Sequence, residues 1–343
     1  MDTRISPSAI WDDLLRRIAA SSNPLAEIDR LKSEINPGFV EYLNRATGQL
    51  AGQNRLADAL RINEWALRAV HHLRHPLLEA HTLFNRAQLE RNGGNVERSG
   101  KTFREALQLY QKHGAPLDIL DATAGLLEFL AAQHKDREME EVAASSLDKV
   151  LATGQLTGEL KEPLVRICRT LRGQAGSRMV KTYLDLLLQM AEQLGDREGE
   201  ADAAGMLAGT YFDADLPQAK RLCQRALDLH RQLNNAQMQA LDLGDLGHAC
   251  YRLGELEDAA RYYTECIAIR DREGHTTEMH SDLYRLYHVL HYLGRRREAL
   301  QVYTRMMELT TGSPSAFQLT PVMYNLFLDE HGQKLEGIKF GRP

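Results

Sequence analysis

The strongest constraint on this chain is a pattern that recurs at an interval of forty residues. One column of mostly small or aliphatic residues keeps this interval over seven positions: Ala66, Ala106, Ser146, Leu186, Ala226, Cys266 and Met306. An aliphatic column follows it directly: Leu67, Leu107, Leu147, Leu187, Leu227, Ile267 and Met307. Self-similarity at a fixed interval indicates a repeat architecture, so we predict seven structural units between residues 37 and 312.

Each unit is predicted to contain two helices. Apolar residues recur at three- and four-residue steps in residues 237–253 and again in residues 256–270, which is the pattern of amphipathic helices. Gly254 lies between the two patterns, where it allows a turn that a side chain would hinder. Pro76 and Pro116 stand where first-turn prolines are tolerated. Because one hairpin cannot bury its apolar face alone, the units are expected to stack.

Composition favours a soluble, all-helical protein. Of its 343 residues, 43% are hydrophobic and 26% are charged, which are globular values. The net charge of -5 argues against a nucleic-acid partner, because phosphate binding needs a basic surface. No run of eighteen apolar residues predicts a membrane span, and the first twenty residues lack the pattern of a secretory signal. We therefore expect a cytoplasmic protein.

The four cysteines give no sign of a disulfide framework or of a metal site. Cys168, Cys223, Cys250 and Cys266 are widely spaced and form no CxxC pair. We expect buried, reduced thiols.

The sixth unit resembles a tetratricopeptide repeat. The resemblance rests on Leu243, Leu246, Gly247, Tyr251, Gly254, Ala259, Tyr263 and Cys266, although Tyr251 stands one place later than that pattern has it. The interval is similar to the longer repeats of bacterial signalling proteins, including those that accompany CHAT proteases. The resemblance implies an all-α solenoid, a right-handed superhelix of about seven hairpins. We expect helical caps at residues 1–36 and 313–343, the latter continuing into a flexible tail.

The copies differ in quality along the chain. Unit seven has Tyr287 where unit six has glycine, and units one, three and four are degenerate. Pro163 and the segment "RGQAGS" at residues 172–177 predict a kink or an irregular segment in unit four.

The resemblance also implies a ligand groove on the concave side, lined by the first helix of each unit. The positions that map onto it are His248, Tyr251, Arg252, Tyr284, His288, His291, Tyr292, Tyr211, Phe212, Phe84, Arg91 and Asn92. Aromatic, histidine and arginine side chains favour protein-binding hot spots, because they bury much area and also form hydrogen bonds. The alternative is that these side chains make ordinary contacts between repeats.

No motif of catalysis or of cofactor binding is found. The segment "HHLRH" places His71 and His75 four residues apart, but the HExxH order of zinc hydrolases is absent, and no metal or cofactor is expected. The Ser-Gly-Lys-Thr of residues 99–102 lacks the glycine spacing of a phosphate loop.

We therefore expect a non-enzymatic scaffold or adaptor that binds a protein or a peptide. Two alternatives stay open. One is a sensor of short peptides that regulates a separate effector. The other is a hydrolase that uses His248 or His288 with a cysteine, which buried thiols would count against.

Overall fold

The computed structural model describes residues 7–172 and 179–311, which form helices joined by short turns. The α-helices are α1 (Pro7–Ala20), α2 (Pro24–Arg30), α3 (Pro37–Gly52), α4 (Leu56–Leu73), α5 (Pro76–Asn92), α6 (Val96–His113), α7 (Pro116–Ala132), α8 (Asp136–Thr153), α9 (Lys161–Arg172), α10 (Met179–Leu194), α11 (Arg197–Tyr211), α12 (Leu216–Gln232), α13 (Ala236–Leu253), α14 (Leu256–Glu273), α15 (Thr276–Tyr292) and α16 (Arg296–Thr311). These described residues contain no strand, and the predicted all-α class is confirmed.

Prolines, short polar residues and glycines mark where the helices begin and end. Pro76 and Pro116 are the first residues of α5 and α7, where the missing N–H would have no partner. The Asp215 side chain caps α12 by accepting a hydrogen bond from the backbone N–H of Gln218 at 3.0 Å. Gly254 follows α13 with a φ of 79°, a left-handed conformation that costs glycine little. The local signals in the sequence therefore set these helix boundaries.

Unit four departs from the regular hairpin before α9. A 3-10 turn, Gly158–Leu160, leads into α9, so Pro163 lies in the first turn of that helix and does not kink its middle. Most of the predicted irregular segment, residues 173–178, lies outside the described residues.

The chain divides into two compact units, residues 1–183 and residues 184–343. In the first unit, each helix from α3 to α7 packs against the next helix along the chain, and α9 packs against α7. In the second unit, the helices from α11 to α16 do the same. We call the odd-numbered helices from α3 onward the first helices and the even-numbered ones the second helices. Stacked helical hairpins of this kind confirm the predicted solenoid class, while residues 313–343, predicted as a cap and tail, lie outside the described residues.

The first forty-residue column is a packing column. All seven of its residues are buried, with Met306 the most exposed at 7%. In the sixth hairpin, Cys266 lies in this column, and the fully buried ring of Tyr263 packs over the backbone of Gly247. A Cβ atom on Gly247 would lie 2.7 Å from that ring, which no carbon pair tolerates. The close packing of the two helices in this hairpin therefore requires glycine at position 247.

Replacing Gly247 with alanine is expected to destabilise the protein. The added methyl group forces the Tyr263 ring or the helix backbone to move, which costs about 1–3 kcal/mol of unfolding free energy. Gly48→Ala is the matched control, because no atom lies within 4 Å of its added Cβ, and it is expected to stabilise α3 by about 0.5–1 kcal/mol. Denaturant unfolding followed by circular dichroism measures both. Equal effects of the two substitutions would contradict this account.

Two buried ion pairs join successive hairpins of the second unit. His230 Nδ1 lies 2.6 Å from a carboxylate oxygen of Asp242, and Arg270 Nε lies 2.8 Å from one of Asp282. The cation stands in a second helix and the aspartate in the following first helix. Both members of the second pair lie forty residues after their counterparts, so the polar contact follows the repeat.

The pKa of His230 is shifted by its surroundings. Burial disfavours the protonated imidazole, but the carboxylates of Asp202 and Asp242 outweigh burial and raise the pKa to about 9. The protonated ring therefore contributes to folding at neutral pH.

Unfolding free energy is expected to fall as the pH rises from 7 to 10. The contribution of protonated His230 is fully present below its ordinary pKa of 6.5 and is lost as the pH passes about 9. His230→Gln is expected to lower stability at pH 7 by about 2 kcal/mol and to flatten this part of the profile. The control is His113→Gln at an exposed position. Denaturant unfolding at several pH values checks this, and parallel profiles for wild type and His230→Gln would refute it.

Candidate functional site

The residues proposed for the groove lie on first helices or directly after them. In the second unit, Tyr211 and Phe212 end α11, α13 carries His248, Tyr251 and Arg252, and α15 carries Tyr284, His288, His291 and Tyr292. In the first unit, α5 carries Phe84, Arg91 and Asn92. The two groups belong to different compact units and are described separately.

In the second unit, aromatic and histidine side chains form a series of contacts that we call the aromatic–histidine surface. Its members are Phe212, His248, Tyr251, Tyr284, Tyr287, His288, His291 and Tyr292. Tyr284 and Tyr292 are 53% and 62% exposed, which is high for large aromatic side chains. None of its members is buried in the core. The side chains are therefore available to a partner.

The contact between α11 and α13 pairs a ring with a ring and a charge with a charge. The Phe212 ring lies 5.3 Å from the His248 ring between centroids. Arg252 donates a hydrogen bond to Asp213 at 3.0 Å, so the predicted arginine already has an acidic neighbour. Asp213 is almost fully exposed, and such surface pairs contribute little, so a ligand can displace it at low cost. Tyr211 is half-buried at the end of α11.

The contact between α13 and α15 is a tyrosine pair. The rings of Tyr251 and Tyr292 lie 6.1 Å apart. Burial and a hydrogen bond with Tyr292 raise the pKa of the Tyr251 hydroxyl. The Tyr251 hydroxyl therefore remains protonated at neutral pH and can donate or accept hydrogen bonds.

Sequence reasoning missed Tyr287, which holds the α15 part of the surface together. Its ring lies 5.1 Å from His288, 6.3 Å from His291 and 5.6 Å from Tyr303 of α16. Tyr284 then packs edge-on against His288 at 4.5 Å. The signal was present in the sequence, because Tyr287 replaces the glycine of unit six in the repeat register.

Two histidines of the surface, His248 and His288, favour their neutral form. Burial, followed by the charges of Arg285 and Arg252, lowers the pKa of His248. Burial and the neighbouring His291 lower the pKa of His288. A neutral imidazole has one hydrogen-bond donor and one acceptor, so both rings can bind polar groups without carrying charge.

The three predicted residues of the first unit do not form one cluster. The Phe84 ring packs 5.7 Å from Phe103 and is half-buried. Arg91 forms an ion pair with Glu128, while Asn92 is exposed at the end of α5. The predicted groove positions in this unit are therefore partly committed to contacts between helices.

The cysteines give no support to the hydrolase alternative. All four are buried. Burial raises the pKa of every one of these thiols, to about 12 for Cys168, Cys250 and Cys266. A thiol with so high a pKa supplies almost no thiolate nucleophile at neutral pH.

The "HHLRH" segment has a structural role. The Nδ1 atom of His75 accepts a hydrogen bond from the backbone N–H of Leu78 and so caps α5, while His71 lies in α4. The two histidines therefore do not share one helix face. Across residues 7–172 and 179–311, no group of three potential metal ligands comes together. Over the same residues, no helix is long and apolar enough to cross a bilayer.

Comparison with known proteins supports this class of fold. A family model described as a tetratricopeptide repeat matches residues 243–277, the sixth hairpin and the start of the next. Residues 243–277 are therefore a repeat of the tetratricopeptide type, and they lie within an array of similarly stacked helical hairpins. No curated protein sequence matches the chain.

Two solved structures are similar in fold. One is a signal transduction ATPase with numerous domains (STAND) and a tetratricopeptide repeat sensor from Pyrococcus horikoshii, with a TM-score of 0.53 and 12% identity. The match covers 95% of this chain and 49% of the ATPase, so the chain spans about half of that protein. The other is the apo form of RapI, with a TM-score of 0.55 and 12% identity over 80% of this chain and 77% of RapI.

The electrostatics of the surface predict a shift in one histidine and not in another. Arg285→Gln is expected to raise the pKa of His248 toward its ordinary value, because it removes a positive charge that disfavours protonation. His288 is the internal control, because its pKa depends on burial and on His291. NMR titration of the histidine ring protons measures both values. If the pKa values of His248 and His288 shift equally, or if neither shifts, Arg285 is not the charge that lowers the pKa of His248.

Proposed function

We propose that this protein is a non-enzymatic adaptor that binds a protein or peptide partner on the aromatic–histidine surface. The observation that carries the proposal is the exposure of Tyr284, which packs against half-buried His288, and of Tyr292, which packs against half-buried Tyr251. Large rings with polar atoms bury much area at a small entropic cost, which is why tyrosine is enriched at binding hot spots.

The chemistry of the surface suits a polypeptide. The tyrosine hydroxyls and neutral imidazoles supply donors and acceptors for backbone amides, and the rings supply apolar area. Arg252 and Arg285 are exposed at the same helices and add positive charge for an acidic group. The predicted site residues of α13 and α15 together provide these three kinds of contact.

A sensor of short peptides is the second candidate. The repeat region of the similar STAND protein is described as a sensor, and that protein is about twice the length of the matched region. By analogy, this chain would change conformation on binding and control a separate effector. Small-angle scattering with and without a bound peptide distinguishes the two, because a sensor compacts and a static adaptor does not.

The binding proposal predicts that the double variant Tyr284→Ala with Tyr292→Ala loses its partner. Two hot-spot tyrosines contribute about 2 kcal/mol or more together, so affinity should fall about thirtyfold or more. Affinity capture from the native host identifies the partner, and calorimetry with the purified partner measures the loss.

The matched control is Thr264→Ala with Arg272→Ala, two exposed positions on the second helix α14. This variant should bind like the wild type. If the tyrosine variant captures the same partner with unchanged affinity, the aromatic–histidine surface is not the binding site.

A further inference from the structure

A small pocket in the first unit lies outside the aromatic–histidine surface. Three consecutive helices, α5, α6 and α7, enclose a volume of about 250 Å³. We call it the acidic pocket, and its lining residues are His81, Phe84, Asn85, Tyr110, Asp118 and Asp121. Binding sites for drug-sized ligands are about 300–1,000 Å³, so this pocket suits one side chain and not a whole ligand.

One wall of the pocket is aromatic. The rings of Phe84 and Tyr110 lie 6.3 Å apart at an interplanar angle of 70°. The His81 ring lies 5.5 Å from Tyr110 on the same side. Aromatic faces carry partial negative charge and attract cations within about 6 Å.

The opposite wall carries two carboxylates with different roles. Asp118 accepts a hydrogen bond from the backbone N–H of Ala115 at 3.0 Å and lies 3.4 Å from His81 Nε2. Its carboxylate therefore has a structural role at the start of α7. Asp121 lies 3.5 Å from Arg166, which is closer to Glu128 at 2.7 Å. Helix capping therefore accounts for Asp118. Asp121 has no such role, and its pairing with Arg166 is incomplete because Arg166 lies closer to Glu128.

The electrostatics of the pocket are unbalanced. Burial raises the pKa of Asp121; Arg166 opposes this shift, and the nearby Asp118 and Glu162 add to it. Burial, the largest cause of this shift, disfavours the ionised carboxylate, and a cation in the pocket would stabilise it.

Tyr110 provides an independent observation at the pocket. It is 2% exposed and lines the pocket. Its hydroxyl forms no hydrogen bond within the described part of the chain, but it is not one of the fully buried polar atoms that lack a partner, so it is open to the pocket. Burial and the charges of Asp118 and Asp121 raise its pKa, so the hydroxyl stays protonated beside the carboxylates.

We propose that the acidic pocket binds the positively charged side chain of a peptide ligand, arginine or lysine, between its aromatic wall and Asp121. The peptide as the source of this side chain rests on the proposed function, whereas the binding of the cationic group itself does not. The cation pairs with the carboxylates, packs on the Phe84 and Tyr110 rings and donates a hydrogen bond to the Tyr110 hydroxyl oxygen.

Three small probes test the pocket directly. Butylguanidinium represents arginine, butylammonium represents lysine, and pentanol is a neutral molecule of similar size. NMR of the His81 and Tyr110 ring signals follows binding. At least one cation is expected to give saturable shifts with a Kd of about 1 mM, and pentanol is expected to give none. Stronger binding of butylguanidinium identifies arginine, and stronger binding of butylammonium identifies lysine.

Two variants and one control locate the binding. Asp121→Asn keeps the shape of the side chain and is expected to weaken cation binding at least tenfold. Phe84→Leu should weaken it about three- to tenfold by removing one aromatic face. Glu105→Gln removes an equal charge at an exposed position of α6 and should change the Kd less than twofold.

Several results would overturn the proposal. They are equal binding of pentanol and the cations, the absence of saturable shifts, or unchanged binding by Asp121→Asn in a protein whose circular dichroism matches the wild type. The outcome is separable from that of the proposed function, because the probes need no partner. If no probe binds but the capture of a partner still depends on Tyr284 and Tyr292, only the acidic pocket is rejected. If the probes bind but capture does not depend on these tyrosines, only the aromatic–histidine surface is rejected.

Discussion

The structure depends most on the packing of a second helix against the first helix that follows it, as between α4 and α5 or between α12 and α13. A single hairpin leaves one apolar face exposed, and only the neighbouring hairpin covers it. Small residues such as Ala226 and Cys266 let the helices approach closely, and Tyr263 packs over the bare backbone of Gly247. At these positions of the sixth hairpin, small residues and one aromatic ring therefore set how closely the helices pack.

The sequence predicted what depends on short-range chemistry and on the forty-residue interval. Pro76 and Gly254 mark helix boundaries because their backbone preferences act locally, and Cys266 was assigned to packing because its column repeats. The partner of a charged side chain was harder to predict. Arg91 pairs with Glu128, a residue 37 positions away in the chain, and nothing local to either residue indicates that contact. The walls of the acidic pocket come from three helices, so no single stretch of sequence reveals it.

In the second unit, buried charges also join a second helix to the first helix that follows it. His230 with Asp242 and Arg270 with Asp282 occupy equivalent positions in successive hairpins. Replacing a buried pair with apolar residues is often neutral for stability, but removing one partner leaves an unpaired charge and is costly. The pairs therefore restrict which hairpin can come next in the stack, because a hairpin without the aspartate would leave the buried cation unpaired.

The exposed side chains of the first helices and of the second helices have different roles. Second helices carry ion pairs to the next second helix, such as Arg231 with Glu265 and Arg305 with Asp271. These side chains satisfy one another within the stack. First helices of the second unit instead expose tyrosine and histidine rings whose contacts leave large areas uncovered, as at Tyr284 and Tyr292. Rings of this kind gain more from a partner than paired charges do, because covering them removes apolar area from water without breaking an existing ion pair. The first helices are therefore where binding adds most to the contacts that the fold already makes.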